Sequence, residues 1–132
     1  MSSLNRSEPF WREDRCVADE ITVLIVEDED AVRLTLRDYL TKSGFHVFVA
    51  SDGAGAIEQM LDHDVDVIVS DYRMNILGGH YWIRFLQKYC PDQRVIITSA
   101  YLDGNVEIPY PILRKPFDFA ELAQRIKALV TN

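Results

Sequence analysis

The feature that most constrains the fold is an unbroken apolar run that stops abruptly at four acidic residues. Residues 21–26 read ITVLIV and residues 27–30 read EDED. A continuous run rich in β-branched residues predicts a strand buried on both faces, as in a parallel sheet covered by helices. The acidic residues mark the point where the chain leaves the sheet, and apolar residues at helical spacing follow from Ala31.

The same alternation of strand and helix patterns continues along the chain. Gly44 is typical of a helix end, and Ser51 or Asp52 is typical of a helix N-cap. Strands that alternate with helices predict an α/β fold, a doubly wound parallel sheet of five strands in the flavodoxin-like order. The further strands are predicted at 45–50, 65–70, 94–98 and 112–113, and the helices at 31–43, after the cap at 51 or 52, at 81–89 and at 117–130.

The length of 132 residues is typical of one domain. Residues 1–20 are polar and lack a hydrophobic period, so they are predicted to be an N-terminal extension, and residues 21–132 the domain itself. Two interpretations of the extension stay open. Ser7 caps a short helix whose Phe10 and Trp11 dock on the domain, or the segment is a frayed tail.

The charge balance excludes several classes of partner. The chain has 14 Lys and Arg against 21 Asp and Glu, a net charge of −7. Binding to nucleic acid or to an anionic membrane requires a basic surface, so neither is expected. No apolar stretch approaches the roughly 20 residues of a membrane-spanning helix. The two cysteines lack the spacing of a metal site, and a reducing, cytoplasmic location is expected.

Chemically active side chains follow the predicted strands at the points where they end. Glu27 and Asp28 follow the first strand, Asp71 the third, Ser99 the fourth and Lys115 the fifth. In doubly wound folds the sites lie outside the carboxyl ends of the strands. These residues are therefore expected to converge on one edge of the sheet.

This set of residue types indicates phosphoryl chemistry at a metal site. Clustered carboxylates repel one another unless a cation offsets them, and oxygen ligands suit Mg²⁺. A metal, a lysine and a hydroxyl together stabilise a phosphoryl group. Since no histidine or cysteine stands at these strand ends, Asp71 is the candidate nucleophile.

Four segments of the sequence resemble those of a known family. The segments VLIVEDED, VIVSDYRM, IITSAY and LRKPF are similar to the four signature segments of the response-regulator receiver domain of bacterial two-component phosphorelays, over about residues 21–131. The resemblance implies that Asp71 is the phosphoacceptor. It implies a Mg²⁺ site in which Asp28 is a direct ligand, Glu27 its acidic partner, and the backbone carbonyl of Arg73 a further ligand.

The resemblance also implies how the domain signals. Ser99 matches the switch hydroxyl, and Lys115 the lysine that pairs with the phosphoryl oxygens. The phosphoryl group comes from a phosphohistidine of a sensor histidine kinase or phosphotransfer protein, and the charge change at Asp71 alters a surface that a downstream protein partner reads. Such a domain is a signalling phosphoacceptor that assists its own phosphorylation and dephosphorylation, rather than an enzyme; a homodimer stays open.

One departure from the family concerns the fourth helix. The segment between Ser99 and Lys115 is shorter than the family's usual spacing by about one and a half helical turns. Gly104, Pro109 and Pro111 disfavour a regular helix there. The fourth helix is therefore predicted to be absent or reduced, on the face that the family commonly uses for output and dimerisation.

Other departures concern switching and hydrolysis. Ile112 stands where the family has its switch aromatic, and we hypothesise that Tyr101 or Tyr110 takes this role. Arg73 and Tyr101 flank the approach of water to the aspartyl phosphate, which predicts slow hydrolysis. Asn75 replaces a proline of the family, which predicts a looser loop. In the acid pair, glutamate replaces the more frequent aspartate.

Three alternatives compete with a phosphorylated receiver. A degenerate receiver that acts only as a protein-binding module stays open because of the shortened fourth-helix region. An aspartyl-nucleophile phosphatase needs a second aspartate two residues after the nucleophile, where this chain has Arg73. A flavin-binding electron carrier needs a phosphate loop after the first strand, and residues 27–30 would repel a phosphate there.

Overall fold

The computed structural model describes residues 21–73, 79–100 and 107–131, and within them five strands form one parallel sheet. The strand order is β2-β1-β3-β4-β5. This is the flavodoxin-like order, so the predicted fold class is confirmed. The strands are β1 (Thr22–Val26), β2 (His46–Ala50), β3 (Val67–Asp71), β4 (Arg94–Ser99) and β5 (Ile112–Arg114).

Four helices in the described residues connect or follow these strands: α1 (Asp30–Lys42), α2 (Gly53–Asp62), α3 (Gly79–Tyr89) and α4 (Phe119–Thr131). Of the two predicted caps for α2, the structure uses Asp52, whose carboxylate accepts a hydrogen bond of 2.8 Å from the N–H of Gly55. Gly44 has a φ of 103°, a conformation that favours glycine, so it ends α1 at the predicted place.

The parallel register brings the strand ends to one edge of the sheet. Val26 at the end of β1 pairs with Ser70 of β3, the residue before Asp71. Asp71 in turn pairs with Thr98 of β4, the residue before Ser99. The N–H of Lys115 donates to the carbonyl of Ser99 over 2.9 Å, which extends the ladder beyond β5. The predicted convergence of these strand ends is therefore present in the backbone itself.

Both faces of the sheet are buried, as the apolar run at the start of the domain predicts. In β1, Val23 and Ile25 point into the core beneath α1 and α4, where Leu36 and Ile126 lie. Leu24 and Val26 point into the core beneath α2 and α3. These four β1 side chains are at most 1% exposed. The sheet therefore separates two hydrophobic cores, and the site lies at its rim.

Some element boundaries differ from the prediction. The strand β3 begins at Val67 rather than at residue 65, and includes Asp71. Helix α3 begins at Gly79, before the predicted residue 81. Helix α4 begins at Phe119 rather than at residue 117, because the carboxylate of Asp118 accepts a hydrogen bond of 2.9 Å from the N–H of Ala120. Side-chain capping thus decides where α4 starts.

The family's fourth helix would lie between β4 and β5, and this connection agrees with the prediction that it is absent or reduced. Helix α4 of this structure is a different helix, which follows β5. The described part of the connection, residues 107–111, contains no helix. The predictions about the extension at 1–20, Asn75, Tyr101 and the rest of this connection lie outside the described residues. In the ranges that the structure describes, no helix has both the length and the apolar character that crossing a membrane requires.

Candidate functional site

Asp71 lies at the end of β3, almost covered by its surroundings. The residue is 7% exposed. One carboxylate oxygen, Oδ2, is 3.2 Å from Nζ of Lys115, and the other, Oδ1, is 3.4 Å from the backbone N of Arg73, which donates to it. The aspartate is therefore held from both sides, by a cation and by the backbone of the following loop.

Glu27 is the second buried acid of the site. It directly follows β1, is 4% exposed, and its N–H donates to the carbonyl of Ala50 over 3.0 Å. Its Oε1 is 2.8 Å from Nζ of Lys115, and its Oε2 accepts a hydrogen bond of 3.2 Å from the N–H of Glu29. Lys115 thus bridges two buried carboxylates that belong to different strand ends.

Asp28 completes an acidic group that faces solvent. One carboxylate oxygen from each of Glu27, Asp28 and Asp71 lies within 4.8 Å of the others. Asp28 is more accessible to solvent than the other two, which are buried. Carboxylates this close repel one another unless a cation offsets them, and an oxygen-only donor set open to water fits Mg²⁺, which keeps several water ligands.

The electrostatics of Asp71 reflect an incomplete charge balance. Burial first, and then the negative charge of Glu27, raise the pKa of Asp71, and the contacts with Lys115 and the N–H of Arg73 lower it; the net effect is a rise from 3.8 to about 6. Burial lowers the pKa of Lys115, but its hydrogen bonds and attraction to Glu27 and Asp71 outweigh this and raise the pKa overall. One lysine does not offset two buried carboxylates, which leaves room for a further cation.

A buried hydrogen-bonded chain supports the backbone at Asp71. The indole N–H of Trp82 in α3 donates to Oγ of Ser70 over 2.9 Å, and that hydroxyl donates to the carbonyl of Asp71 over 3.0 Å. Both side chains are at most 1% exposed. Sequence reasoning placed Trp82 in the core but missed this contact. A buried indole N–H requires a hydrogen-bond partner. The signal that could have identified the partner was Ser70, a hydroxyl inside an apolar strand.

Ser99 and Arg73 lie beside this group. Ser99 is the last residue of β4 and is 2% exposed; its backbone carbonyl accepts from Lys115. Arg73 is exposed, and its backbone N–H reaches Asp71. The structure thus brings Glu27, Asp28, Asp71 and Lys115 into one group, and it sets the other two predicted residues at the same edge of the sheet.

The positions predicted to affect switching are partly described. Ile112 and Tyr110 are half-buried and pack against the core beneath α2 and α3. Burial raises the pKa of the Tyr110 hydroxyl, with a further contribution from Cys90. Tyr110 therefore lies on this core rather than in free solvent, and the hypothesis that it replaces the switch aromatic stays a prediction.

Comparison with known proteins agrees with this geometry. The family model of the response regulator receiver domain matches residues 23–127. The chain is 36% identical over 117 residues to the sensor kinase CckA of Brucella abortus. This match covers 83% of the chain and 12% of CckA. It spans about half the length of the transcriptional regulatory proteins that it also matches, such as YxdJ of Bacillus subtilis, at 49%.

Solved structures of similar fold are receiver domains. The receiver domain of Francisella response regulator 1452 has a TM-score of 0.76 at 27% identity, covering 84% of this chain and 97% of that one. The receiver domain of the hybrid histidine kinase CckA has a TM-score of 0.70 at 31% identity, covering 83% of this chain and 98% of that one. With a family match over most of its length, a sheet of the same order and an acidic group at the carboxyl edge, the chain belongs to the family of response regulator receiver domains, the signalling phosphoacceptors of two-component systems.

Proposed function

We propose that the domain, residues 21–132, accepts a phosphoryl group on Asp71 from a phosphohistidine of a sensor histidine kinase or phosphotransfer protein. The observation that carries this proposal is the carboxylate of Asp71, held 3.2 Å from the Lys115 ammonium within 4.8 Å of two more acids. Such a carboxylate is constrained in orientation and surrounded by groups that can offset the charge of an incoming phosphoryl group. The proposal implies a cytoplasmic location, where sensor kinases carry their phosphohistidine.

The proposed transfer is a substitution at phosphorus. A carboxylate oxygen of Asp71 attacks the phosphorus atom and forms a P–O bond as the P–N bond to the histidine breaks. The imidazole nitrogen keeps the bonding electron pair and takes a proton from solvent. Hydrolysis later cleaves the same P–O bond with water as the nucleophile and restores the carboxylate.

Residues of this chain would assist that transfer electrostatically. Lys115 already contacts the acceptor carboxylate, so its ammonium can pair with a phosphoryl oxygen without a large movement. We propose that the hydroxyl of Ser99, at the same sheet edge, donates a hydrogen bond to a second phosphoryl oxygen. The hydrogen bonds from Trp82 to Ser70 and from Ser70 to the carbonyl of Asp71 hold the backbone of Asp71 in place. The acceptor carboxylate therefore keeps its orientation.

The same edge would hold Mg²⁺. We propose Asp28 and Asp71 as carboxylate ligands, the backbone carbonyl of Arg73 as a further ligand, and Glu27 as the acidic partner. Bound Mg²⁺ supplies positive charge that offsets the negative charge on the phosphoryl oxygens. The incomplete charge balance around Asp71 supports this assignment.

Phosphorylation is tested with a small phosphodonor. We expect the wild-type protein, incubated with phosphoramidate and Mg²⁺, to gain about 80 Da in intact mass, the mass of one phosphoryl group. Asp71→Asn keeps the shape of the side chain but removes the nucleophilic carboxylate, so it should gain nothing. Asp92→Asn, at an exposed residue near the opposite end of the sheet, is the matched control and should gain the same mass as wild type. An unchanged wild-type mass, or a gain in the Asp71 variant, would contradict the proposal.

Mg²⁺ binding has its own test. At a Mg²⁺ concentration of about ten times the dissociation constant, binding should stabilise the fold by about 1.4 kcal/mol and raise the melting temperature by about 5 °C. Asp28→Asn should remove most of this shift, because it deletes the most accessible carboxylate of the group, and Asp92→Asn should retain it. Equal shifts in all three proteins, measured by thermal unfolding, would assign the effect to nonspecific ion binding.

The second candidate function is a receiver that works only as a protein-binding module. Ile112 at the switch position and the absence of a helix over residues 107–111 favour it. Such a module predicts no mass gain under the conditions above. The phosphatase and flavin-carrier alternatives are replaced by the family assignment.

A further inference from the structure

Helix α3 has a charge opposite to that of the chain as a whole. Its sequence GHYWIRFLQKY contains no acidic residue, whereas the chain has a net charge of −7. Arg84 and Lys88 are both exposed and stand four residues apart, so they lie on the same side of the helix. Tyr81 and Tyr89 flank them and are 68% and 64% exposed. This side of α3 therefore presents aromatic rings together with two like charges.

Helix α2 presents the complementary surface. Its sequence GAGAIEQMLD contains no basic residue, and Glu58 and Asp62 are exposed and also stand four residues apart. Leu61 beside them is 80% exposed. Among residues 21–73, 79–100 and 107–131, Leu61 and the two α3 tyrosines are the most exposed large hydrophobic side chains. Within those ranges, none of these four charged residues takes part in an ion pair.

The two helices are matched in position along the fold. Both cover the same face of the sheet, since Ala56 of α2 and Trp82 of α3 belong to one core cluster. Both follow strands of a parallel sheet, so they run in the same direction. Glu58 and Arg84 are each the sixth residue of their helix, and Asp62 and Lys88 are each the tenth. Both helices begin at the carboxyl edge of the sheet, since Gly55 lies against Ala50 and Gly79 against Tyr72, so we infer that the acidic pair and the basic pair stand at similar heights.

We propose that this α2–α3 face is a homodimer interface that pairs α2 of one copy with α3 of a second copy. A two-fold axis parallel to the helices places α2 of each copy opposite α3 of the other copy. Rotation about this axis does not shift any residue along the helix direction. Glu58 then faces Arg84 of the second copy, and Asp62 faces its Lys88. Each contact occurs twice, as in any isologous interface. The exposed leucine and tyrosines supply the apolar contact between the charged rows.

Size and electrostatics are consistent with a weak association of two copies. A standard interface covers about 800 Å² per partner. Two helices of 10 and 11 residues side by side, each about 15 Å long and about 10 Å wide, give a footprint of about 300 Å², so the contact belongs with the small, concentration-dependent interfaces. At physiological salt the repulsion between two acidic molecules is screened beyond about 8 Å, whereas facing side chains in contact still attract. The attraction between facing charged side chains therefore operates at contact, whereas the repulsion between the net charges of the two molecules is largely screened at longer range.

Charge reversal gives a sharp test. By sedimentation velocity over a concentration series, we expect a concentration-dependent dimer for wild type and at least a tenfold weaker association for Arg84→Glu/Lys88→Glu and for Glu58→Lys/Asp62→Lys. Mixing these two variants should restore association, because each then faces opposite charges on both sides of the axis. The quadruple variant should also dimerise. Leu61→Ser should weaken association while leaving the circular dichroism unchanged, because that side chain is 80% exposed.

The control alters charge on the opposite face of the sheet. Lys42→Glu/Lys127→Glu changes the net charge by the same amount as Arg84→Glu/Lys88→Glu, but on α1 and α4. This variant should associate like wild type. A wild-type protein that stays monomeric at millimolar concentration, or an α3 variant that dimerises as well as wild type, would overturn the proposal. None of these substitutions touches the acceptor site, so phosphorylation of Asp71 is tested separately and can succeed or fail independently.

Discussion

Replacing Lys115 with methionine is expected to lower the free energy of unfolding by about 3 kcal/mol in the absence of divalent cations. The ammonium lies 2.8 Å from Glu27 and 3.2 Å from Asp71, and its side chain is only 21% exposed. Methionine keeps most of the aliphatic length of lysine, so the change isolates the charge. Two buried carboxylates then face each other without the cation that holds them together. The same substitution should slow phosphoryl gain at Asp71 strongly, since the transferred oxygens lose their nearest positive group.

Urea unfolding at neutral pH measures this effect. Lys42→Met removes an exposed lysine from the end of α1 and should change the free energy of unfolding by less than about 0.5 kcal/mol. In the background of Asp71→Asn, Lys115→Met should cost at least about 1 kcal/mol less than in wild type, because one of its two partners is already neutral. A stability loss equal to that of the Lys42 control would show that the bridge does not contribute.

The strand ends were the most predictable part of the site. Glu27, Asp71 and Lys115 each follow a short apolar run, and parallel strands bring their carboxyl ends to one edge whatever the details of packing. Both the order of the sheet and the grouping of Glu27, Asp28, Asp71 and Lys115 therefore follow from periodicity and topology. They depend on backbone geometry, which sequence pattern reports directly.

Contacts between distant side chains were not predictable in the same way. The hydrogen bond from Trp82 to Ser70 joins α3 to β3, and nothing in the local sequence of either residue specifies the other. The start of α4 depends on whether Asp118 or a preceding residue caps the helix. The relation between Glu58 and Arg84 becomes visible only when α2 and α3 lie on the same face of the sheet. Each of these features arises from tertiary packing, which overrides local preference.

The acceptor site is a place where stability and function oppose each other. Burial and the charge of Glu27 raise the pKa of Asp71 from 3.8 to about 6, so the ionised carboxylate, which predominates at pH 7, is less favourable in the fold than in the unfolded chain. A nucleophile must nevertheless be ionised to accept a phosphoryl group. The fold therefore holds a charged group that it would be more stable without, and Lys115 relieves only part of this cost.

Asp71→Asn is accordingly expected to stabilise the cation-free protein at pH 7, by about 2 kcal/mol. The shift in pKa already includes the attraction to Lys115 and corresponds to an upper limit of about 3 kcal/mol, and solvent screening at this partly accessible site reduces the gain. The pKa of the folded state lies above that of the unfolded chain, so this carboxyl favours folding most when protonated. Its contribution is fully present below about pH 4 and is lost as the pH rises through about 6. The difference between variant and wild type should therefore grow across that window.

Chemical denaturation of both proteins at a series of pH values, with chelator present, tests this expectation. The other acidic residues are common to both proteins, so their titration cancels in the difference and the remaining slope belongs to Asp71 and its contacts. Addition of Mg²⁺ should stabilise wild type more than the variant and narrow the difference, because the ion offsets the same negative charge that the substitution removes. A variant that is less stable than wild type at pH 7, or a difference that does not depend on pH, would mean that the ion pair with Lys115 outweighs the burial of the acceptor.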